Sequence, residues 1–329
     1  MEETSDVLSN KIEGEVRPPL IIIAGPTAAG KTALSIALAK QINGSVISAD
    51  SMQVYKHMDI GSAKITPEEM QGIPHYLIDE LEPDEDFNIY RFSEMANAAL
   101  EDIYACGRIP IVVGGTGFYI RSLLYHTQFE EERIAPEYRR QMEDYAEKYG
   151  NHALHEKLKE IDPESYEGIH ENNRKRVIRA LEFYELTGQT ISEHNRFERS
   201  RSSPYNYAYF VLTDIRERIY ERIDRRVDAM MEAGLLDEVS RLSQMGCKRG
   251  MVSMQGLGYK ELLDYLDGNC TLDEAIYRIK RDTRHFAKRQ LTWFRAEPDC
   301  IWLNRSEYGG DEALMLGDML QKLKDRNVL

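Results

Sequence analysis

Residues 24–32 read AGPTAAGKT and directly follow the apolar run at 20–23. The stretch fits the pattern G-x-x-x-x-G-K-[ST], a loop between a strand and a helix whose backbone N–H groups bind phosphates, while its Lys reaches their oxygens and its hydroxyl binds Mg²⁺. We therefore expect Thr32 to be a Mg²⁺ ligand. The expected phosphate-binding or nucleotide-binding residues are Gly25, Pro26, Thr27, Ala28, Ala29, Gly30, Lys31 and Thr32. The motif leaves open whether the phosphate is cleaved, transferred or released as a leaving group.

Around this loop, short apolar segments rich in β-formers alternate with helical patterns, which is typical of parallel βαβ units. The candidate strands are 20–24, 45–48, 75–78, 109–113, 208–212 and 301–303, and the first candidate helix is 33–42.

The strand pattern is interrupted by a helical stretch that opens at Pro136, breaks at Asp162-Pro163 and continues to Gly188, with Met142, Tyr145 and Tyr149 on one face. A helix can begin with Pro, and Gly favours its end. The sequence thus predicts an α/β protein with a P-loop NTPase-like parallel sheet core. We assign residues 19–122 and 204–329 to the core, 123–203 to a small inserted helical subdomain, and 1–18 to a disordered tail.

The composition is that of a globular protein, since 42% of the 329 residues are hydrophobic. No apolar run approaches the ~18–20 residues of a membrane span, and the polar N-terminus lacks the apolar centre of a signal peptide. The four cysteines are far apart and form no C-x-x-C pair: Cys106, Cys247, Cys270 and Cys300. We therefore expect a cytoplasmic monomer that has no membrane partner.

The net charge of −14 argues against a nucleic-acid partner, but its distribution does not. Residues 1–100 carry 16 acidic and 7 basic side chains, whereas residues 278–295 carry 7 basic side chains and one acidic side chain. Clustered Lys and Arg bind phosphate backbones, so the local excess of positive charge matters more than the total.

The second candidate strand runs into SVISADSMQVY, which places Asp50 just beyond its carboxyl end. Ligands of open parallel sheets bind outside these ends. Asp50 is therefore either a base that engages an acceptor or, because Asp is a favoured N-cap residue, the cap of a helix.

The fourth candidate strand ends in Gly114-Gly115-Thr116-Gly117, where a Mg²⁺-dependent NTPase would usually have Asp. The missing carboxylate disfavours ATP or GTP hydrolysis. Either the glycines allow a ligand to approach the Thr116 hydroxyl, or the segment is only a tight turn.

Three helical patterns carry basic side chains. In 172–186, Lys175 and Arg179 share a face opposite the apolar one. In 275–295, a basic stripe lies next to an apolar stripe. The basic stripe consists of Arg281, Arg284, Lys288 and Arg295, and the apolar stripe of Ile276, Ile279, Thr283, Ala287 and Phe294. These stripes indicate phosphate or nucleic-acid contact, although a solvated charged face has the same pattern. In 213–239, Arg222 and Arg226 lie four residues apart and either point to the P-loop ligand or form ion pairs with nearby acids.

Taken in order, seven stretches resemble the tRNA dimethylallyltransferase family, also called tRNA isopentenyltransferases. They are GPTAAGKT, SADSMQVYKHMDIGSAK, VVGGTGFYIRSLL, NNRKRVIRALE, RIDRRVDAMMEAGLLDEV, MQGLGYKEL and TRHFAKRQLTWFR, spread over residues 20–304. The chain lacks the C-terminal zinc finger of longer eukaryotic members, so it resembles the compact bacterial type. One departure is KRVIR at 175–179, where many members have QR.

This resemblance implies transfer of a dimethylallyl group from dimethylallyl diphosphate to N6 of the adenosine 3′ to the anticodon, with diphosphate as the leaving group. It implies catalytic roles for Asp50 as the acceptor base, Thr116 near the reacting centre and Arg222 at the diphosphate. It also implies tRNA contacts by Asp50, Ser51, Met52, Gln53, Thr116, Arg139, Lys175, Arg176, Val177, Ile178, Arg179, Gln255, Gly258, Tyr259, Lys260, Arg284, Lys288 and Arg289.

Two other functions fit the motifs less well. A P-loop nucleoside or small-metabolite kinase would use Asp50 as its acceptor base, but it would not require the positive stripes or the insertion. A non-catalytic RNA-binding module would not require Asp50 or Lys31.

Overall fold

The computed structural model describes residues 17–126 and 135–329, so the predicted tail lies almost wholly outside the described residues. Six strands form one sheet in the order β3-β2-β4-β1-β5-β6, and every neighbouring pair is parallel. The strands are β1 Pro19–Ala24, β2 Gly44–Ala49, β3 His75–Tyr76, β4 Ile109–Gly114, β5 Asn206–Thr213 and β6 Cys300–Asn304. The predicted α/β class and its parallel sheet are confirmed.

Helices connect these strands and continue beyond the last one. They are α1 Lys31–Ile42, α2 Pro67–Met70, α3 Ile89–Ala105, α4 Gly117–Leu124, α5 Pro136–Ile161, α6 Pro163–Gly168, α7 Arg174–Thr187, α8 Ile191–Ser200, α9 Arg216–Glu232, α10 Leu235–Gln244, α11 Tyr259–Leu266, α12 Leu272–Ala296 and α13 Glu312–Asp325. None of the described helices is both long and apolar enough to cross a membrane.

The chain divides into two compact units, one formed by the chain up to Leu124 together with Pro204–Leu329, the other by Tyr125–Ser203. In the first, alternate β1 side chains such as Ile21 and Ile23 pack against Leu34 and Leu38 of α1, all at 0–1% exposure. Burying an aliphatic side chain of this size contributes about 1.5–3 kcal/mol, so this core fixes where β1 ends and α1 begins.

The second unit contains α5 to α8 around a core that includes Leu154, Leu158 and Leu181. Gly150, at φ 89° and ψ 162°, interrupts α5, a break that the sequence reading missed. Tyr149 immediately precedes this break, and its ring lies 4.7 Å from that of Tyr145, so the two share the predicted face although Tyr149 is 55% exposed. The helix α8 was also not predicted.

The sheet topology determines where a ligand can bind. From β1 the chain passes to β2 on one side of the sheet, and from β4 it passes to β5 on the other side. Parallel sheets bind ligands outside their carboxyl ends at such a reversal. Gly25, Asp50, Gly115 and Asp214 directly follow β1, β2, β4 and β5, and they therefore lie along one edge.

Candidate active site

The P-loop adopts a conformation that its glycines make possible. Gly25 and Gly30 have φ values of 146° and 92°, and a Cβ on Gly25 would lie 2.5 Å from the Leu212 carbonyl oxygen. Gly30 is the N-cap of α1 and provides no side-chain cap, so the first N–H groups of this helix have no side-chain cap bond. An uncapped helix N-terminus behind a glycine-rich loop is a binding site for anions.

Lys31 lies folded onto its own loop. Its Nζ donates to the carbonyl oxygens of Gly25 at 3.0 Å and Pro26 at 2.9 Å. Burial lowers the pKa of Lys31 to about 8, although the negative charge of Asp50 opposes this shift. The Lys31 ammonium group therefore lies in the P-loop and is poorly solvated. An anionic ligand in the loop would favour its charged form.

Two arginines of α9 contact this loop, and one of them, Arg222, also forms an ion pair with a nearby acid. Arg222 donates from Nε to the Ala28 carbonyl oxygen at 2.8 Å and from Nη1 to Asp214 Oδ2 at 2.7 Å. Arg226 Nη1 lies 3.5 Å from Thr27 Oγ1. The third nitrogen of Arg222, Nη2, is buried and has no hydrogen-bond partner among the described residues. A buried unsatisfied donor is costly, and an anionic ligand in the loop would satisfy it.

Asp50 begins a turn rather than a helix. Its Oδ1 accepts a hydrogen bond from the Met52 N–H at 2.8 Å, and no helix begins between Asp50 and Pro67. The helix N-cap interpretation is therefore wrong. No residue in 17–126 or 135–329 donates to Oδ2, so this oxygen can accept a hydrogen bond from a substrate. Gln53 is fixed close by, since its Oε1 accepts from Ser48 Oγ at 3.0 Å.

The loop after β4 comes close to both neighbouring strands. A Cβ on Gly114 would lie 2.2 Å from the Ala49 carbonyl oxygen, which explains why no aspartate can stand at this strand end. Gln290 of α12 links this loop to the P-loop: its Nε2 donates to the Gly115 carbonyl oxygen and its Oε1 accepts from the Thr27 N–H, both at 3.0 Å. Thr116 precedes α4, and its carbonyl oxygen accepts the Tyr119 N–H at 3.0 Å.

One cavity of about 1360 Å³ joins these groups within the first unit. Many of the predicted site residues line it: Thr27, Ala28, Ala29, Gly30, Lys31, Thr32, Asp50, Ser51, Met52, Gln53, Thr116, Arg222, Gln255, Gly258, Lys260 and Arg289. A pocket for one drug-sized molecule measures about 300–1,000 Å³. The cavity therefore has room for a phosphate-bearing ligand and part of a second substrate.

Several predicted tRNA contacts are corrected by burial. Val177 and Ile178 are 0% and 2% exposed in the core of the second unit, and Tyr259 is 0% exposed with its hydroxyl donating to Glu238 at 2.8 Å. Apolar side chains of α7 belong to the buried face because the 3.6-residue period places them there. Direct side-chain contact with tRNA is excluded for these three residues in this conformation.

Other predicted contacts are held in ion pairs. Arg139 and Arg179 both bind the buried carboxylate of Glu182, at 2.6 Å and 3.1 Å, and Arg284 binds Asp224 of α9 at 2.5 Å. Arg284 of the basic stripe is thus paired with an acid of α9, and the pattern of α12 alone could not reveal this partner.

The remaining basic side chains are exposed. They are Lys175 and Arg176 on α7 and Lys288, Arg289 and Arg295 on α12, and none forms an ion pair with a residue in the described ranges. On these two helices, these five residues are therefore cations that a polyanion could reach.

The parallel sheet, the glycine-rich loop after β1 and the carboxylate after β2 around one cavity define the class of fold as P-loop NTPase-like. The sequence profile described as IPP transferase matches residues 53–297, and the one described as isopentenyl transferase matches residues 18–84. The chain belongs to the IPP transferase family, a family of transferases.

Individual relatives agree with this assignment. The chain is 55% identical over 311 residues to a tRNA dimethylallyltransferase of Lachnoclostridium phytofermentans, covering 94% of this chain and 99% of the relative. The structure of a Bacillus halodurans tRNA isopentenylpyrophosphate transferase matches at TM-score 0.70 and 45% identity, covering 94% and 98% of the two chains. A eukaryotic dimethylallyltransferase described as acting on tRNA matches at TM-score 0.73 and 33% identity, covering 87% and 74%.

Sequence reasoning missed three polar residues that shape the site. Asp214 directly follows β5, so the rule that singled out Asp50 could have found it. Gln290 and Glu238 lie on amphipathic helices, and no local pattern distinguishes them from other polar helix residues.

Proposed function

We propose that this protein transfers a dimethylallyl group from dimethylallyl diphosphate to N6 of the adenosine 3′ to the anticodon in tRNA and releases diphosphate. The observation that carries the proposal is that Asp50 and the P-loop, with Lys31 and Arg222, line one cavity. A group that accepts a proton therefore faces a site that binds a diphosphate. The names of the relatives, tRNA dimethylallyltransferases, support the same reaction.

The donor half of the reaction requires charge neutralisation more than covalent catalysis. An allylic diphosphate breaks its C1–O bond readily, and negative charge then develops on the diphosphate. In our proposal, the P-loop N–H groups and the ammonium group of Lys31 stabilise this charge. Arg222 would contribute its buried Nη2, which has no hydrogen-bond partner among the described residues and could donate to an anion in this loop.

A Mg²⁺ ion would suit the same place. No group of three or more acidic, His or Cys side chains that could hold a metal occurs among the described residues. Mg²⁺ commonly uses few protein ligands and completes its shell with water and substrate phosphates, and Thr32, exposed at the cavity, would supply a hydroxyl ligand. When bound, the ion would neutralise part of the charge on the leaving group.

The acceptor half uses Asp50. The N6 lone pair of adenine is delocalised into the ring, so attack on C1 must be accompanied by loss of an N6 proton, which Asp50 is placed to accept. Gln53 and Met52 would hold the base beside it. A single-stranded loop adenosine can be extruded at a lower cost than a paired one, which favours the anticodon loop.

The direct test is mass spectrometry of tRNA nucleosides after incubation of the purified protein with unmodified tRNA, Mg²⁺ and dimethylallyl diphosphate. We expect N6-isopentenyladenosine and free diphosphate, with no product when ATP replaces the donor. Phosphorylation of a nucleoside or small metabolite by ATP, with no prenylated tRNA, would instead identify a kinase. Light scattering of the same preparation tests the expected monomer, and cell fractionation tests the cytoplasmic location.

Lys31 is expected to make donor use dependent on pH. Its ammonium form is present below its pKa of about 8 and is lost above it, while the diphosphate stays ionised above pH ~6. kcat/KM for dimethylallyl diphosphate should therefore fall as the pH rises through about 8. Initial rates at low donor concentration across this range measure the profile. Lys31→Arg, which stays charged, should lose the inflection; an inflection retained in that variant would assign it to another group.

Lys288 is expected to contribute to tRNA affinity through phosphate contact. Removing one phosphate-binding charge lowers the slope of log affinity against log salt by about 1. Lys288→Ala should show this change in filter binding, with donor affinity unaltered. The matched control is Arg284→Ala combined with Asp224→Ala, which removes an ion pair from the same helix and leaves the net charge unchanged. Equal slopes for wild type and Lys288→Ala would show that Lys288 belongs to a solvated charged face and does not contact phosphate.

A further inference from the structure

Glu238 of α10 is a buried carboxylate that makes four hydrogen bonds. Its side chain is 1% exposed. Oε2 accepts the N–H groups of Asp59 at 2.9 Å and Ile60 at 2.8 Å, and Oε1 accepts the Gly61 N–H at 3.0 Å and the Tyr259 hydroxyl at 2.8 Å. Three consecutive backbone N–H groups of the turn at 59–61 are therefore bound by a single side chain from a distant helix.

This turn forms part of the cavity wall next to the loop at 50–53, which follows β2 and is called the acceptor loop below. Gly61, Ser62 and Ala63 line the cavity. The carbonyl oxygens of Ser62 and Ala63 lie 3.5 Å and 3.3 Å from Gln53 Nε2. Gln53 follows Asp50 by three residues, so the position of the turn determines how the Gln53 amide faces the cavity.

The other side of the turn has no spare room. A Cβ on Gly61 would lie 2.5 Å from the Tyr259 ring. Tyr259 is itself held by Glu238, so the carboxylate and the ring fix the turn from two directions. Tyr259, predicted to contact tRNA, thus supports the wall of the cavity instead.

We propose that Glu238 is a positioning residue for the adenine acceptor: it holds the turn at 59–61 so that Gln53 and Asp50 face the base correctly. This inference rests on the proposed transfer to tRNA. A carboxylate suits this place, because the three backbone N–H groups bound to it can only donate and a carboxylate accepts at both oxygens. An amide would set an N–H group against a backbone N–H group and release at least one bond.

The test is Glu238→Gln, which preserves the size of the side chain. We expect kcat for dimethylallyl transfer at saturating tRNA to fall on the order of 10- to 100-fold, since small displacements in an active site have effects of this size. KM for dimethylallyl diphosphate should remain unchanged, because Glu238 makes no contact with the P-loop. Rates are normalised to the folded fraction, measured by circular dichroism.

Glu297→Gln is the matched control, since Glu297 is also a buried carboxylate of the first unit and pairs with Arg121 at 2.7 Å away from the cavity. A purely structural role for Glu238 predicts that both variants lose thermal stability and keep wild-type kcat per folded molecule. That outcome would overturn the inference. A tenfold or larger fall of kcat in Glu238→Gln alone supports it.

Gly61→Ala decides the matter if Glu238→Gln does not fold. The added Cβ pushes the turn away from Tyr259 and leaves the carboxylate in place, and we expect the same fall in kcat with an unchanged donor KM. Wild-type kinetics for this variant would overturn the inference. If the wild-type protein transfers no dimethylallyl group, the proposed function fails; if wild type transfers it and the variants do so equally well, only the role of Glu238 fails.

Discussion

Asp50→Asn is expected to lower kcat for dimethylallyl transfer by roughly 10²–10⁴-fold, the usual contribution of a general base. An asparagine oxygen can still accept a hydrogen bond from N6 and orient it, but it cannot take the proton. The amine would then have to attack C1 while its proton leaves to water, without a positioned base to accept it. The affinity for tRNA should change much less.

The turn geometry makes Asp50→Asn a clean substitution. Asp50 Oδ1 accepts the Met52 N–H at 2.8 Å, a bond that asparagine can also make, so the backbone of the acceptor loop should keep its course. Asp50→Ala removes this bond as well and serves as the comparison. Similar rates for the two variants would assign the loss to proton transfer, whereas a much slower alanine variant would add a contribution from the turn.

Single-turnover transfer at saturating donor and tRNA is the appropriate measurement, because it isolates the chemical step from product release. A rate for Asp50→Asn within a few-fold of wild type would remove Asp50 from catalysis. The carboxylate would then be a turn-forming residue, and the proton acceptor would have to be sought among water and other cavity groups.

The sequence predicts the core of the fold because its signals are local. All six strands lie where apolar β-rich segments predicted them, and α1 follows the P-loop as the motif requires. The order of the strands then places Gly25 and Asp50 at one edge, so a rule about strand ends was enough to locate half of the site. Gly150 was missed because a single glycine within a helical pattern is usually tolerated.

The other half of the site depends on contacts between distant segments. Gln290 reaches Thr27 across 263 residues, and Glu238 reaches Asp59 across 179 residues. No pattern in either helix reveals these partners. The same limit applies at Arg284, whose ion pair with Asp224 of α9 cannot be seen in the pattern of α12 alone.

Lys31→Ala is expected to lower the rate of transfer on the order of 10²-fold or more, because it removes a positive charge that stabilises the leaving diphosphate. The loss should appear mainly in kcat if Lys31 acts as charge develops on the diphosphate, and mainly in KM if it only binds the donor. tRNA affinity should be preserved, since the tRNA contacts proposed for α12 lie outside the P-loop.

The alanine also removes bonds within the loop, because Lys31 Nζ donates to the Gly25 and Pro26 carbonyl oxygens. Lys31→Met lacks the same charge and the same hydrogen bonds but keeps most of the aliphatic stem, so comparing it with Lys31→Ala separates the loss of the ammonium group from the loss of the stem. Steady-state rates over a range of donor concentrations are measured for wild type and both variants. Equal losses in the two variants would identify the ammonium group as the cause, since the two variants differ only in how much of the stem remains. Near-normal transfer by Lys31→Met would show that the N–H groups and Arg222 neutralise the leaving group without Lys31, and the assignment of its ammonium group to the diphosphate would be wrong.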